Sequence, residues 1–128
     1  MRRLFEATAR DDRATVFALY DPEIEWDTSR AALGLLIEGD IFHGHDGVRR
    51  FHRKYNEAWE QMDYEIDELV DAGDQVVSVV NNRRRGRMSG VEVALQMPGV
   101  WTVRDGRIVR AAFFTTREEA LVAAGVQD

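Results

Sequence analysis

The chain has 128 residues, about one domain, and its 45% hydrophobic and 31% charged residues make a globular mixture. A net charge of −6 argues against a sequence-independent grip on nucleic acid, and no apolar run approaches the roughly 20 residues that span a bilayer. There is no cysteine for disulfide or thiol chemistry and no signal-type apolar core at the start, so the cytoplasm is the expected compartment.

Residues 2–9 predict a short amphipathic helix carrying Leu4 and Phe5. Asp11 or Asp12 caps a second helix bearing Val16, Phe17, Leu19 and Tyr20, and Asp21-Pro22 ends it, since the residue before proline disfavours helix. Glu23 to Asp27 alternates polar and apolar, the pattern of a half-buried strand. Residues 28–45 are the least regular, with an apolar patch at Leu33, Leu35, Leu36 and Ile37; a loop folded over a pocket mouth and a short extra strand both fit.

Asp46-Gly47-Val48 opens the main helix, whose apolar stripe is Val48, Phe51, Tyr55, Ala58, Trp59 and Met62. Strands are expected at 64–71, 75–87, 91–104 and 107–115, joined by the glycine-bearing connections Ala72-Gly73-Asp74, Met88-Ser89-Gly90 and Asp105-Gly106. A last helix starts at Thr116 with a Thr-x-x-Glu capping box to Glu119, and Gly125 stops it. No repeat or linker interrupts the chain, so residues 1–128 form one domain. In strand 91–104 the odd positions Val91, Val93, Leu95, Met97, Trp101 and Val103 form one apolar face, to be buried against the helices. Strongly twisted sheets of this length curl, and a helix cannot fill the whole concavity, which leaves a pocket. The outer face, left uncovered, predicts a homodimer through the sheet.

Several residues invite a chemical reading. Asp27, on a strand beside Trp26, is the candidate general base; it could equally point outward or cap the turn before Thr28-Ser29. His43, His45 and Asp46 suggest a metal, but three groups in one turn lack the spacing of a typical site, and no metal is expected. His52, one turn into the main helix, is placed at its surface. Tyr55 and Trp59 serve either core or pocket lining. Alternation sends one of Asn81 and Asn82 inward, where it must bond a ligand or a neighbouring strand. Phe113 and Phe114 project to opposite faces, and whichever lines the cavity makes it apolar. Arg83-Arg84-Arg85-Gly86-Arg87 reads as an exposed strand end with solvated charges, a site for an anion or acidic ligand, or an RNA contact.

Six segments share an order and spacing: Asp21 to Asp27, Phe42-His43-Gly44-His45-Asp46-Gly47 leading a helix, Asp71 to Val77, Ser89-Gly90, Asp105 to Val109, and Arg117 to Leu121. Together, over nearly the whole chain, they resemble the SnoaL-like polyketide cyclase group of the nuclear transport factor 2-like superfamily. The resemblance implies an α+β fold, a cone-shaped curved antiparallel sheet wrapped around N-terminal helices (the cystatin-like α+β roll). That superfamily holds ketosteroid isomerases, limonene-epoxide hydrolases, polyketide cyclases, dehydratases and members without known activity, so fold does not decide function. Against the isomerases, the proton-shuttling carboxylate falls on Asp27, but the acidic oxyanion donor falls on Gly99 and the tyrosine donor near Arg3. Against the hydrolases and cyclases, the acid of the last long strand falls on Phe113, and the Arg/Asp pair of the hydrolases falls in the strand aligned with Val79, Val80, Asn81 and Asn82.

These observations give the expectation of an apolar pocket for a small cyclic or polyketide-like molecule, lined by Trp26, Tyr55, Trp59, Asn81, Asn82, Trp101 and Phe113. Catalysis there would need no cofactor and would move a proton in an isomerisation, aldol cyclisation or hydration, with Asp27 as base and Asn81 or Asn82 orienting the substrate. The alternative is a non-catalytic ligand-binding or dimerisation domain.

Overall fold

The computed structural model describes residues 2–10, 12–30 and 40–126. The elements run α1 (Arg2–Ala9), α2 (Arg13–Leu19), β1 (Tyr20–Asp27), β2 (Ile41–His43), α3 (Gly44–Ala58), β3 (Trp59–Ala72), β4 (Gln75–Gly86), β5 (Glu92–Arg104), β6 (Arg107–Phe113) and α4 (Arg117–Ala123). The strands form one six-stranded sheet in the order β2-β1-β6-β5-β4-β3. Strands β3 to β6 are a meander of antiparallel hairpins, and the last turn takes its shape from Asp105 (φ 52°) and Gly106 (φ 76°), both in the left-handed region that an Asp-Gly hairpin turn requires.

The sheet is mixed rather than antiparallel throughout, because β1 runs parallel to β6. The meander sets the direction of β6. β1 reaches the free edge of β6 through the long connection that carries α3, and only such a connection permits parallel neighbours. Bulges in the β3–β4 pair, between Gln61 and Asp63 and between Ile66 and Glu68, add twist and curl the sheet into a half-barrel.

α1, α2 and α3 pack into the concave side. Leu4, Phe5 and Ala7 of α1, Val16 of α2, and Val48, Phe51 and Tyr55 of α3 share one core with Trp26, Val80, Trp101 and Phe113 of the sheet. Each large side chain buried this way stabilises the fold by about 1.5–3 kcal/mol. Asp12 caps α2, accepting from the Thr15 N–H at 3.3 Å and its hydroxyl at 2.7 Å. Thr116 and Glu119 form the expected capping box on α4.

Two boundaries differ from the sequence expectation. α3 stops at Ala58, and Trp59 opens β3 opposite Gly86; Trp59 and Met62 satisfy the helical period, but the even positions Met62, Tyr64 and Ile66 equally satisfy a strand, and pairing with β4 decides. β1 starts at Tyr20, so Pro22 lies inside the strand; its missing N–H is tolerated because the register with β6 breaks between Tyr20 and Glu25. Within residues 28–45 the short extra strand is Ile41–His43, while Leu33, Leu35, Leu36 and Ile37 lie outside the described residues.

On the outer face, α4 lays Ala120 and Leu121 over Val77, Val100 and Ala112. Arg117 clamps Glu68 with two bonds of 2.6 and 3.0 Å, and this pairing holds the Glu68 carboxyl below its ordinary range. Part of the outer face is thus covered by the chain's own helix, and beyond it Asn81, Arg83, Arg85, Ala94 and Gln96 are exposed. No helix among the described residues is long and apolar enough to cross a membrane.

Candidate functional site

Between the three N-terminal helices and the concave face lies a cavity of about 470 Å³. Its aromatic wall is built by β1, β5 and β6, with the Trp26 and Phe113 rings 5.0 Å apart and Trp101 5.7 Å from each. Gly99 makes that packing possible: a Cβ there would lie 3.3 Å from the Phe113 ring and from the Trp101 indole nitrogen. Trp101 donates this N–H to the buried Ser78 hydroxyl at 2.8 Å.

Other buried polar atoms of the lining without a hydrogen-bond partner among the described residues include the Trp26 indole nitrogen, the Tyr55 hydroxyl and the Asn82 side-chain oxygen. Among the described residues the Asn82 amide nitrogen donates only to the Met97 sulfur, at 3.6 Å, a weak acceptor. Leaving a buried donor or acceptor unmade costs about 1–3 kcal/mol, so these groups mark where a ligand is worth most.

The polar side of the cavity is cationic. The Arg84 guanidinium carbon lies 4.0 Å above the Tyr55 ring, and its Nη1 donates to Asn56 Oδ1 at 3.0 Å and to the Trp59 carbonyl at 3.5 Å. Arg87 donates from Nε to the Asn56 carbonyl at 2.6 Å. His52, edge-on to Trp26 at 5.5 Å, is pushed down to about 4 by burial and then by the charges of Arg13 and Arg84, so its imidazole is neutral at physiological pH. Burial raises the Tyr55 hydroxyl, against the pull of Arg84, and raises Tyr20 and Tyr64 as well; all three phenols stay protonated. Asp12 and Glu60 also line the cavity; Asp12 is occupied by Thr15 and Arg10, and these hold it low.

Of the residues singled out in the sequence, Trp26, Tyr55, Asn82, Trp101 and Phe113 meet in this cavity. Asn81 is exposed on the outer face, as alternation with Asn82 requires, and Trp59 packs beside the core from β3 without lining the cavity. Asp27 is buried at 4% exposure but lies outside the lining. With Trp26 turned inward, its neighbour turns away, where Arg110 bridges it at 3.2 Å to Glu25 at 2.7 Å and the Ser29 N–H donates to it at 2.9 Å. The expectation of Asp27 as a base in the pocket is therefore not met by its placement. His45 contacts the Tyr20 carbonyl at 3.0 Å and Asp46 pairs with Arg49 at 2.9 Å; no cluster among the described residues could hold a metal.

Sequence reasoning missed Ser78, placed His52 at the helix surface where it lines the cavity, and took an exposed strand end as one reading of the run that holds Arg84. Arg84 shares its parity with Val80 and Asn82, so the strand period could have placed it inside; its charge argued the other way. His52 stands four residues after Val48, on the buried side of α3.

Residues 1–111 match the SnoaL-like domain family, and the chain belongs to it. Among solved structures, a nuclear transport factor 2-like protein of Burkholderia thailandensis is 30% identical, with a TM-score of 0.77 over 99% of this chain and 94% of its own. A nuclear transport factor 2-like protein of unknown function from Burkholderia pseudomallei is 25% identical, with a TM-score of 0.77 over 94% of this chain and 91% of that one. TerC, co-crystallised with polyporic acid, shares the fold at 18% identity, with a TM-score of 0.72 over 96% and 93% of the two chains. No curated protein matches the sequence.

Proposed function

We propose that the protein binds a small cyclic molecule in this cavity, stacking its ring system on Trp26, Trp101 and Phe113 and turning a polar oxygen toward Trp26 Nε1, Tyr55 and Asn82. One observation carries the reading: an aromatic-walled cavity is lined by residues that hold buried polar atoms without partners among the described residues, Trp26 Nε1, Tyr55 Oη and Asn82 Oδ1. A volume of about 470 Å³ suits a ligand of two or three fused rings. A structural neighbour co-crystallised with polyporic acid is in keeping with it.

The chemistry open to such a site is proton transfer without a cofactor, as in isomerisation, cyclisation or hydration, and His52 is the neutral acid–base group that lines it. A base pushed down to about 4 is weak at neutral pH, which favours binding without turnover unless the ligand itself raises His52. The test is titration with 2-naphthol and 1-tetralone, followed by tryptophan fluorescence and calorimetry, with acyclic 2-decanone as control. Saturable binding of the bicyclic compounds, about tenfold or more tighter than the control, is the expected result. Failure of both to saturate up to their solubility limits would overturn the proposal.

A further inference from the structure

We infer that Ser78 sets which polar group the cavity accepts: its hydroxyl, positioned by the Trp101 indole, donates to an oxygen of the occupant that carries no proton, such as that of a ring ketone. The inference rests on the binding reading above and adds the sense of one hydrogen bond, with the ligand as acceptor.

Strand alternation brings the two residues together. Ser78, Val80 and Asn82 line the cavity from the concave face of β4, while Val77 turns outward under α4. On β5, Gly99 stands directly opposite Ser78, and Trp101, two residues on, shares its face. Gly99 has no side chain to stand between them. The indole nitrogen lies 3.3 Å from where a Gly99 Cβ would be, and 2.8 Å from the Ser78 hydroxyl oxygen. Three edge-to-face contacts fix the indole there, with Phe5 at 5.6 Å and with Trp26 and Phe113 at 5.7 Å each.

An indole N–H is a donor and nothing else, so the Ser78 oxygen accepts from it. A hydroxyl that accepts from Trp101 directs its own proton elsewhere, and among the described residues that proton meets no acceptor. Ser78 is 1% exposed and Trp101 5%, so bulk solvent does not supply one. A buried donor left unmade is costly, and the bond received from Trp101 polarises the hydroxyl and strengthens it as a donor. The adjoining Trp26 adds a second donor-only group without a partner, Nε1–H, and gives this wall of the cavity the same preference. Because the Trp101 bond orients the hydroxyl before a ligand arrives, little rotational freedom is lost on binding.

The test compares 1-tetralone with tetralin, the same two rings without the carbonyl oxygen, in fluorescence titrations of the wild type, Ser78→Ala and Trp101→Phe. The infrared carbonyl stretch of the bound ketone is recorded for each protein. Ser78→Ala should weaken tetralone by about fivefold or more and leave tetralin within about twofold. The carbonyl stretch should lie lowest in the wild type and rise in Ser78→Ala. Trp101→Phe keeps the hydroxyl but frees it to rotate, so its stretch should fall between the two. A stretch that Ser78→Ala leaves unmoved, or an equal loss for ketone and hydrocarbon, overturns the inference and leaves the binding reading standing. A Trp101→Phe stretch equal to the wild type's overturns the positioning role of the indole. If neither compound nor 2-naphthol saturates, both readings fall. Should Ser78→Ala not fold, the wild type is read from the Trp101 indole N–H resonance. It should shift with tetralone and much less with tetralin; equal shifts overturn the inference.

Discussion

The Phe113 ring occupies the space that a side chain on Gly99 would enter: the two residues face each other across β5 and β6, and a Cβ on Gly99 would stand 3.3 Å from two ring carbons. The sequence resemblance puts the acids of two known chemistries at these positions. In the structure the two positions are complementary halves of one packing arrangement, an absent side chain and a large apolar one.

That complementarity predicts coupling. Gly99→Ala forces the Phe113 ring to move and costs about 1–3 kcal/mol by overpacking. Phe113→Ala leaves a cavity and costs about 3–5 kcal/mol. The double variant should be less destabilised than the sum, by about 0.5 kcal/mol or more, because the alanine methyl then meets open space. Urea unfolding of the four proteins measures the cycle, and strict additivity would contradict the contact.

Asp27 belongs to a charge cluster on the far side of β1. Asp27→Asn removes one ionic partner from Arg110, which keeps Glu25, and should cost about 1 kcal/mol. Affinity for 2-naphthol should stay within about twofold, since no cavity group is touched. A tenfold loss of binding in a folded Asp27→Asn protein would return this carboxylate to the site.

His52 gives the protein an acid-side weakness with a defined window. The imidazole binds its proton near 6.5 in the unfolded chain and near 4 in the folded one, so the unfolded chain holds more protons between those values. Stability is complete above about 6.5, falls as the pH drops through the window, and should be lower by about 2 kcal/mol at pH 5 than at pH 7. The depressed carboxyls of Asp12 and Glu68 lose their contribution only at lower pH, below the ordinary carboxylate range. Urea midpoints at the two pH values test this, and in His52→Gln the difference should largely vanish. An unchanged difference in that variant would place the titrating group elsewhere.

Local chemistry made most of the fold legible. The Asp105-Gly106 turn, the Thr116 capping box and the alternation of β5 each depend on neighbours within a few residues, and each reads directly from the chain. The end of α3 did not, because Met62 fits the helical period with Trp59 and the strand period with Tyr64 and Ile66, and the long pairing with β4 decides between them. The parallel seating of β1 on β6 depends on a partner about 85 residues away, and no local signal carries it. The site was half legible for the same reason. The aromatic lining follows from apolar periodicity, whereas the outward turn of Asp27 depends on which of two adjacent side chains the core takes, and the core takes Trp26.

The three tryptophans offer the most direct measurement of the central claim, that the cavity binds a cyclic ligand through its unpartnered polar groups. In a nitrogen-15 correlation spectrum titrated with 2-naphthol, the Trp26 indole N–H should shift most, as it gains the acceptor it lacks. Trp101, already bonded to Ser78, should shift less, and Trp59, outside the lining, should stay nearly still. A spectrum in which saturating ligand moves Trp59 alone, or none of the three, would contradict the account.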